Sequence, residues 1–154
     1  MNGSGSDDAA ATRIWTEAHQ AAFARATGDV NPMHMNARMA RRTLAGERAV
    51  HGVHAALWAL DACADAHPLD RLATLQMRFE RFVLVGDCTV LTVHAAEAGQ
   101  LRLSLAVDGV RTLTIQATFA AGRAPGEGVG VAHVAIAAVA VARDPEALKG
   151  RAGA

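Results

Sequence analysis

The segment HGVHAALWALDACADAH, residues 51–67, is apolar on nearly every side from Val53 to Ala64. A helix lying on a surface needs a polar face, so this pattern predicts a helix enclosed by protein. Its alanines let a sheet approach closely, and Pro68 ends it. The enclosing structure must come from the rest of the chain. At 154 residues and 51% hydrophobic content, that chain favours one domain with a sizeable core.

After Pro68 the hydrophobic period changes to two. TLQMRFERFVLV (74–85), CTVLTVHAAE (88–97), LRLSLAV (101–107) and RTLTIQATFA (111–120) alternate apolar with polar residues over much of their length. Gly86-Asp87, Ala98-Gly99 and Asp108-Gly109 separate them, and Asp-Gly between alternating runs is a hairpin signal, because a type I′ turn needs positive φ at both central residues. Strands joined by such short turns pair antiparallel. Upstream, RIW (13–15) reads as a short strand and Thr16 as the N-cap of a helix stopping at Gly28. Asn36 is placed to cap a second helix, ARMARRTLA, ending before Gly46. A single sheet encloses a helix only by curling around it. The expected class is therefore α+β, a hot-dog fold with an antiparallel sheet of about five strands wrapped around a long buried helix. Residues 1–12 read as a disordered leader and 13–120 as the domain. Residues 121–154 read as a linker (AGRAPGEGVG) followed by an appended element or the start of a second module, with a helix start at Asp144-Pro145.

Charge excludes some partners. Lys+Arg and Asp+Glu are 15 each, so no overall field attracts nucleic acid or an anionic membrane, and an anion must be met by a local patch. The longest apolar run, 129–142, contains His133 and is shorter than the ~20 residues of a membrane-spanning helix. Cys63 and Cys88 form no metal-binding or disulfide pattern and are expected to be buried and reduced. With a polar, acidic start in place of a signal sequence, the expected location is the cytoplasm.

The stretch GDVNPMHMN (28–36) sets Asp29 and His34 five positions apart around an Asn31-Pro32 turn. Taken by itself it fits either an Asx turn on a polar surface or an acid–base pair. His51 and His54, three apart, lack carboxylates at matching spacing, and no metal is expected. Arg38, Arg41, Arg42 and Arg48 form the obvious local cationic cluster, although a solvated helix face accounts for them equally well.

FARATGDVNPMHMN, the His51-Gly52 pair opening the enclosed helix, and RFERFVLVGD together resemble the MaoC-like dehydratases and (R)-specific enoyl-CoA hydratases over roughly residues 13–120. That family's Asp-x-Asn-Pro-x-His motif is matched by Asp29, Asn31, Pro32 and His34. The resemblance implies reversible addition of water to a trans-2-enoyl thioester, giving an (R)-3-hydroxyacyl thioester, with no cofactor. The substrate would be carried on coenzyme A or acyl carrier protein. Water must lose a proton as it attacks C3 while C2 gains one, and an aspartate with a histidine provides both functions around one bound water. Charge driven onto the thioester oxygen needs a donor, for which the Gly52 amide at the helix start is suited, with His51 shaping the same site and Asn31 assisting. The arginines at 38, 41, 42 and 48 are the expected phosphate contacts. The sequence departs from the family pattern at Asn36, where an aspartate is common, and at Leu57, where a serine often orients the catalytic aspartate. Two other readings stand beside hydration. One is a thioesterase, which wants a carboxylate on the enclosed helix, where Asp61 and Asp65 come late; the other is an acyl-binding partner subunit without turnover. An open sheet edge favours a homodimer or a tandem partner.

Overall fold

The computed structural model describes residues 9–97, 99–121 and 133–137, the last by backbone pairing. One six-stranded sheet runs in the order β1 (Ala9–Ile14), β3 (Cys88–Glu97), β4 (Gln100–Val107), β5 (Val110–Phe119), β2 (Leu72–Phe79), β6 (His133–Ala137). Five strands pair antiparallel, and β6 lies parallel to β2. Register shifts interrupt four of the pairings, at Ala9/Ala11, Leu72/Thr74, Val93/Ala95 and Leu105/Ala106. Such bulges increase local twist and curl the sheet. Leu75, Met77, Leu91, Leu101, Leu103, Leu105, Leu113 and Ile115 line its inner face and pack with Ala55, Ala56, Ala59 and Leu60 of α4 (Gly52–Asp61). Small alanines on the helix admit the bulky leucines of the strands.

Local signals act where the sequence sets them. Thr16 caps α1 (Glu17–Thr27) in a capping box with His19, and Gly28 ends the helix at φ 77°. Asp108 and Gly109 both take positive φ, 50° and 76°, and turn β4 into β5. The Gly86-Asp87 pair behaves differently. Rather than joining β2 to β3 as a hairpin, residues 80–87 cross over, because β2 pairs with β5. Trp15 and this turn bind each other: Trp15 N–H donates to the Asp87 carbonyl, and Gly86 N–H to the Trp15 carbonyl. The crossing segment also holds the chain before α4, with Val50 N–H donating to Val83 and Val85 N–H to Arg48.

Several expectations need correction. The first strand starts at Ala9, not Arg13, so residues 9–12 are paired with β3 rather than belonging to a leader. Helix α4 is shorter than 51–67 and is not enclosed all round: Val53 and Leu57 are 41% and 46% exposed on one side. The helix capped by Asn36 is a single turn, α3 (Ala37–Ala40). Cys88 is exposed and Cys63 half-buried, both as free thiols. The expected helix start at 144–145 lies outside the described residues. No helix among the described residues is long and apolar enough to cross a membrane.

Candidate active site

The stretch from Gly28 to Asn36 folds as a chain of caps. Asp29 Oδ1 accepts from Asn31 N–H at 3.2 Å, and Asn31 Oδ1 accepts from Met33 N–H at 3.0 Å. Pro32 opens the one-turn helix α2 (Pro32–Met35), its missing N–H costing nothing there. His34 therefore projects from a rigid turn, and its Nδ1 lies 2.8 Å from the Ala49 carbonyl. A carbonyl only accepts, so Nδ1 carries the proton and Nε2 keeps the lone pair in the neutral ring.

His51 precedes α4, 2% exposed, and its ring stacks on that of His34 with centroids 4.1 Å apart. Its Nε2 lies 3.1 Å from the Asp29 carbonyl oxygen and 3.8 Å from Asp29 Oδ2. Burial holds the His51 ring below the ordinary imidazole pKa. The Asp29 carbonyl opposes this by accepting a ring proton, the neighbouring His34 adds to the depression, and the Asp29 carboxylate opposes it.

Asp29, His34, His51 and Gly52 border one cavity of about 290 Å³. Its walls are largely apolar and include Phe23, Phe79, Phe82, Val50, Val53 and Leu113. Three of the four phenylalanines of the chain line this space, so its shape rests on aromatic rings as well as aliphatic packing. Gly52 opens α4, where Ala55 N–H is bonded to the His51 carbonyl while the earlier amides have no acceptor within the helix. A Cβ at Gly52 would sit 2.6 Å from Phe79 Cε1, so the glycine makes room for that ring.

One donor atom each from Asp29, His34 and His51 lies within 4.8 Å of the others. Two imidazoles and a carboxylate are a set that a zinc-like ion accepts. His54 is not part of it. That ring stacks on Phe23 at 4.5 Å and packs edge-on against Trp15, with Nδ1 buried and unbonded among the described residues.

The remaining expected site residues fall elsewhere. Asn31 is an exposed helix cap, and Arg48 pairs with Glu17. Arg38, Arg41 and Arg42 are exposed and do not border the cavity; Arg81, not foreseen, does. Leu57, at the position of the family's serine, is also away from the cavity wall, and the Asn31 amide holds the aspartate instead. Asp61 ends α4 exposed, and Asp65 follows it, exposed as well. Gln20, buried at 2% exposure and bonded to both His51 and Ala49, also escapes sequence reasoning. Its signal is a polar residue one helical turn from Ala24 on the buried stripe of α1.

A curled sheet on a central helix, with its cavity at the helix start, defines a hot-dog protein. This chain belongs to the MaoC-like domain family, whose model matches residues 5–116. Among solved structures it is similar to the R-hydratase PhaJ1 from Pseudomonas aeruginosa, with TM-score 0.58, 23% identity, and coverage of 78% of this chain and 88% of that one. It is similar to the (R)-hydratase from A. caviae involved in PHA biosynthesis, with TM-score 0.54 and 23% identity over 70% and 88% of the two chains. HtdX from Mycobacterium tuberculosis matches with TM-score 0.63 and 28% identity, over 73% of this chain and 45% of that longer one. A search of curated proteins returns no match.

Proposed function

We propose that this protein reversibly hydrates trans-2-enoyl thioesters to (R)-3-hydroxyacyl thioesters, with Asp29 and His34 activating one water. The observation that carries this reading is the His34 Nδ1 contact to Ala49, which fixes the neutral tautomer with a basic Nε2 beside a carboxylate at a cavity wall. Donor atoms of the two side chains are within 4.8 Å of each other, a gap that one water spans with two hydrogen bonds of ~2.8 Å. Water oxygen bonds to C3 and gives up a proton to the pair, and C2 takes one back from it. The pair thus returns to its starting protonation state. Negative charge builds on the thioester oxygen meanwhile, and the Gly52 amide, with the positive end of α4 behind it, is the donor that stabilises it.

The acyl chain fits the aromatic and aliphatic wall, and Arg81 is the cation best suited to a phosphate of coenzyme A or of acyl carrier protein. The arginines at 38, 41 and 42 can contact more distant phosphates. Exposed Val53 and Leu57 on a helix otherwise packed in the core support a homodimer or a tandem hot-dog partner. Unpaired Cys63 and Cys88 suit the reducing cytoplasm.

The test is to incubate the protein with crotonyl-CoA and follow enone absorbance alongside free thiol. Loss of absorbance without thiol is the expected result. Thiol release would instead mean thioester hydrolysis, and binding with neither change would mean a partner subunit without turnover. Asp29→Asn and His34→Ala are each expected to lower hydration by at least about 100-fold while leaving the thermal transition in place. Wild-type turnover in both would remove the pair from the mechanism.

A further inference from the structure

Gln20 is a neutral side chain with no contact to the cavity, yet it is among the most buried polar groups in the protein. Its Nε2 donates to the Ala49 carbonyl at 2.8 Å and to the His34 carbonyl at 3.4 Å. Its Oε1 faces the His51 main-chain N–H at 3.4 Å and His51 Nδ1 at 3.3 Å. These partners dictate which way the amide points. Turned over, the oxygen would confront two carbonyls and the NH2 would confront an N–H, leaving buried groups unpaired.

The Ala49 carbonyl is shared. It accepts from Gln20 Nε2 and from His34 Nδ1, each at 2.8 Å, so both its lone pairs are used. The Ala49 N–H donates to the Met33 carbonyl, tying the same residue to α2. One end of Gln20 therefore fixes the carbonyl that sets the His34 tautomer. The other end holds His51, which stacks on His34 and reaches the Asp29 carbonyl with Nε2.

We infer that Gln20 is a positioning residue that locks the His34 and His51 imidazoles beside Asp29, acting through the Ala49 carbonyl on one side and His51 Nδ1 on the other. This rests on the hydratase reading for its effect on rate, but not for its effect on the rings. Both ring nitrogens of His51 face acceptors, Gln20 Oε1 and the Asp29 carbonyl. A neutral ring satisfies one of them and a charged ring both.

The experiment uses the full chain with Gln20→Leu, which removes all four contacts at similar volume, and Gln20→Glu, which keeps an acceptor toward His51 and adds charge. Crotonyl-CoA kinetics and side-chain 15N spectra of the histidines are recorded for both. In Gln20→Leu, kcat is expected to fall about 100-fold with KM changed less than about threefold, the pattern of a misplaced catalytic pair. The His34 and His51 nitrogen signals should move together. In Gln20→Glu an oxygen replaces the donor that faces the Ala49 and His34 carbonyls, so kcat should fall there too and the His34 nitrogen signals should move. Wild-type kcat, pH profile and nitrogen spectra in Gln20→Leu would overturn the inference. If that variant does not fold, wild-type kcat with unmoved His34 and His51 nitrogen signals in Gln20→Glu overturns it. Should the wild type show no hydration, the functional reading falls, while the nitrogen spectra still decide the role of Gln20.

Discussion

Gly52 meets two demands at one position. Its amide belongs to the first turn of α4 and borders the cavity, while its missing side chain leaves room for the Phe79 ring on the cavity wall. Gly52→Ala forces that ring to shift and is expected to cost about 1–3 kcal/mol in urea denaturation. The cost should shrink in a Phe79→Leu background. An equal cost in both backgrounds would show that the methyl meets something else. Sequence alone suggests the glycine at the helix start but not its reason, because Phe79 lies 27 positions later on another element. Gln20 is hidden for a related cause. A single amide among alanines looks like a surface residue until the partners that bury it, Ala49 and His51, are brought to it by the fold.

Among the elements, those set by neighbouring residues are the legible ones. Asn36 illustrates this: its Oδ1 accepts from Arg38 and Met39 N–H at 3.0 and 3.1 Å, the cap that the sequence suggests for α3. Asn36→Ala is expected to lose about 1 kcal/mol of stability. Asn36→Asp, the residue more usual in the family, should keep both the cap and the hydration rate, since this side chain is not part of the cavity wall. A large gain in rate with aspartate would show that the position acts on the chemistry. The Asp108-Gly109 hairpin and the Thr16 and Gly28 caps are local in the same way. Pairing of β2 with β5 is not, because alternation tells which face of a strand is buried and not which neighbour it takes. The solvent-facing side of α4 escapes notice for the same reason: Val53 and Leu57 are as apolar as the residues that face the core.

For the molecule as a whole, His54 ties stability to acidity. Burial, with Arg13, His19 and His51 adding to it, pushes this ring down to about 4. As pH falls below ~6.5 the unfolded chain takes up a proton that the folded chain refuses until about 4, so stability declines across that window. Above it both forms are neutral and the contribution vanishes; below about 4 the decline stops. The slope attributable to this ring is about 1.4 kcal/mol per pH unit at most. His54→Phe should flatten the fall of the urea midpoint between pH 6.5 and 4, and parallel curves for the two proteins would remove His54 from the account.

The parallel strand β6 bears on solubility. It occupies the hydrogen-bonding groups along the outer side of β2. Proteolytic trimming after Ala121 would bare β2 as a template on which a foreign strand can grow. Such a trimmed chain should precipitate at lower concentration than the intact one.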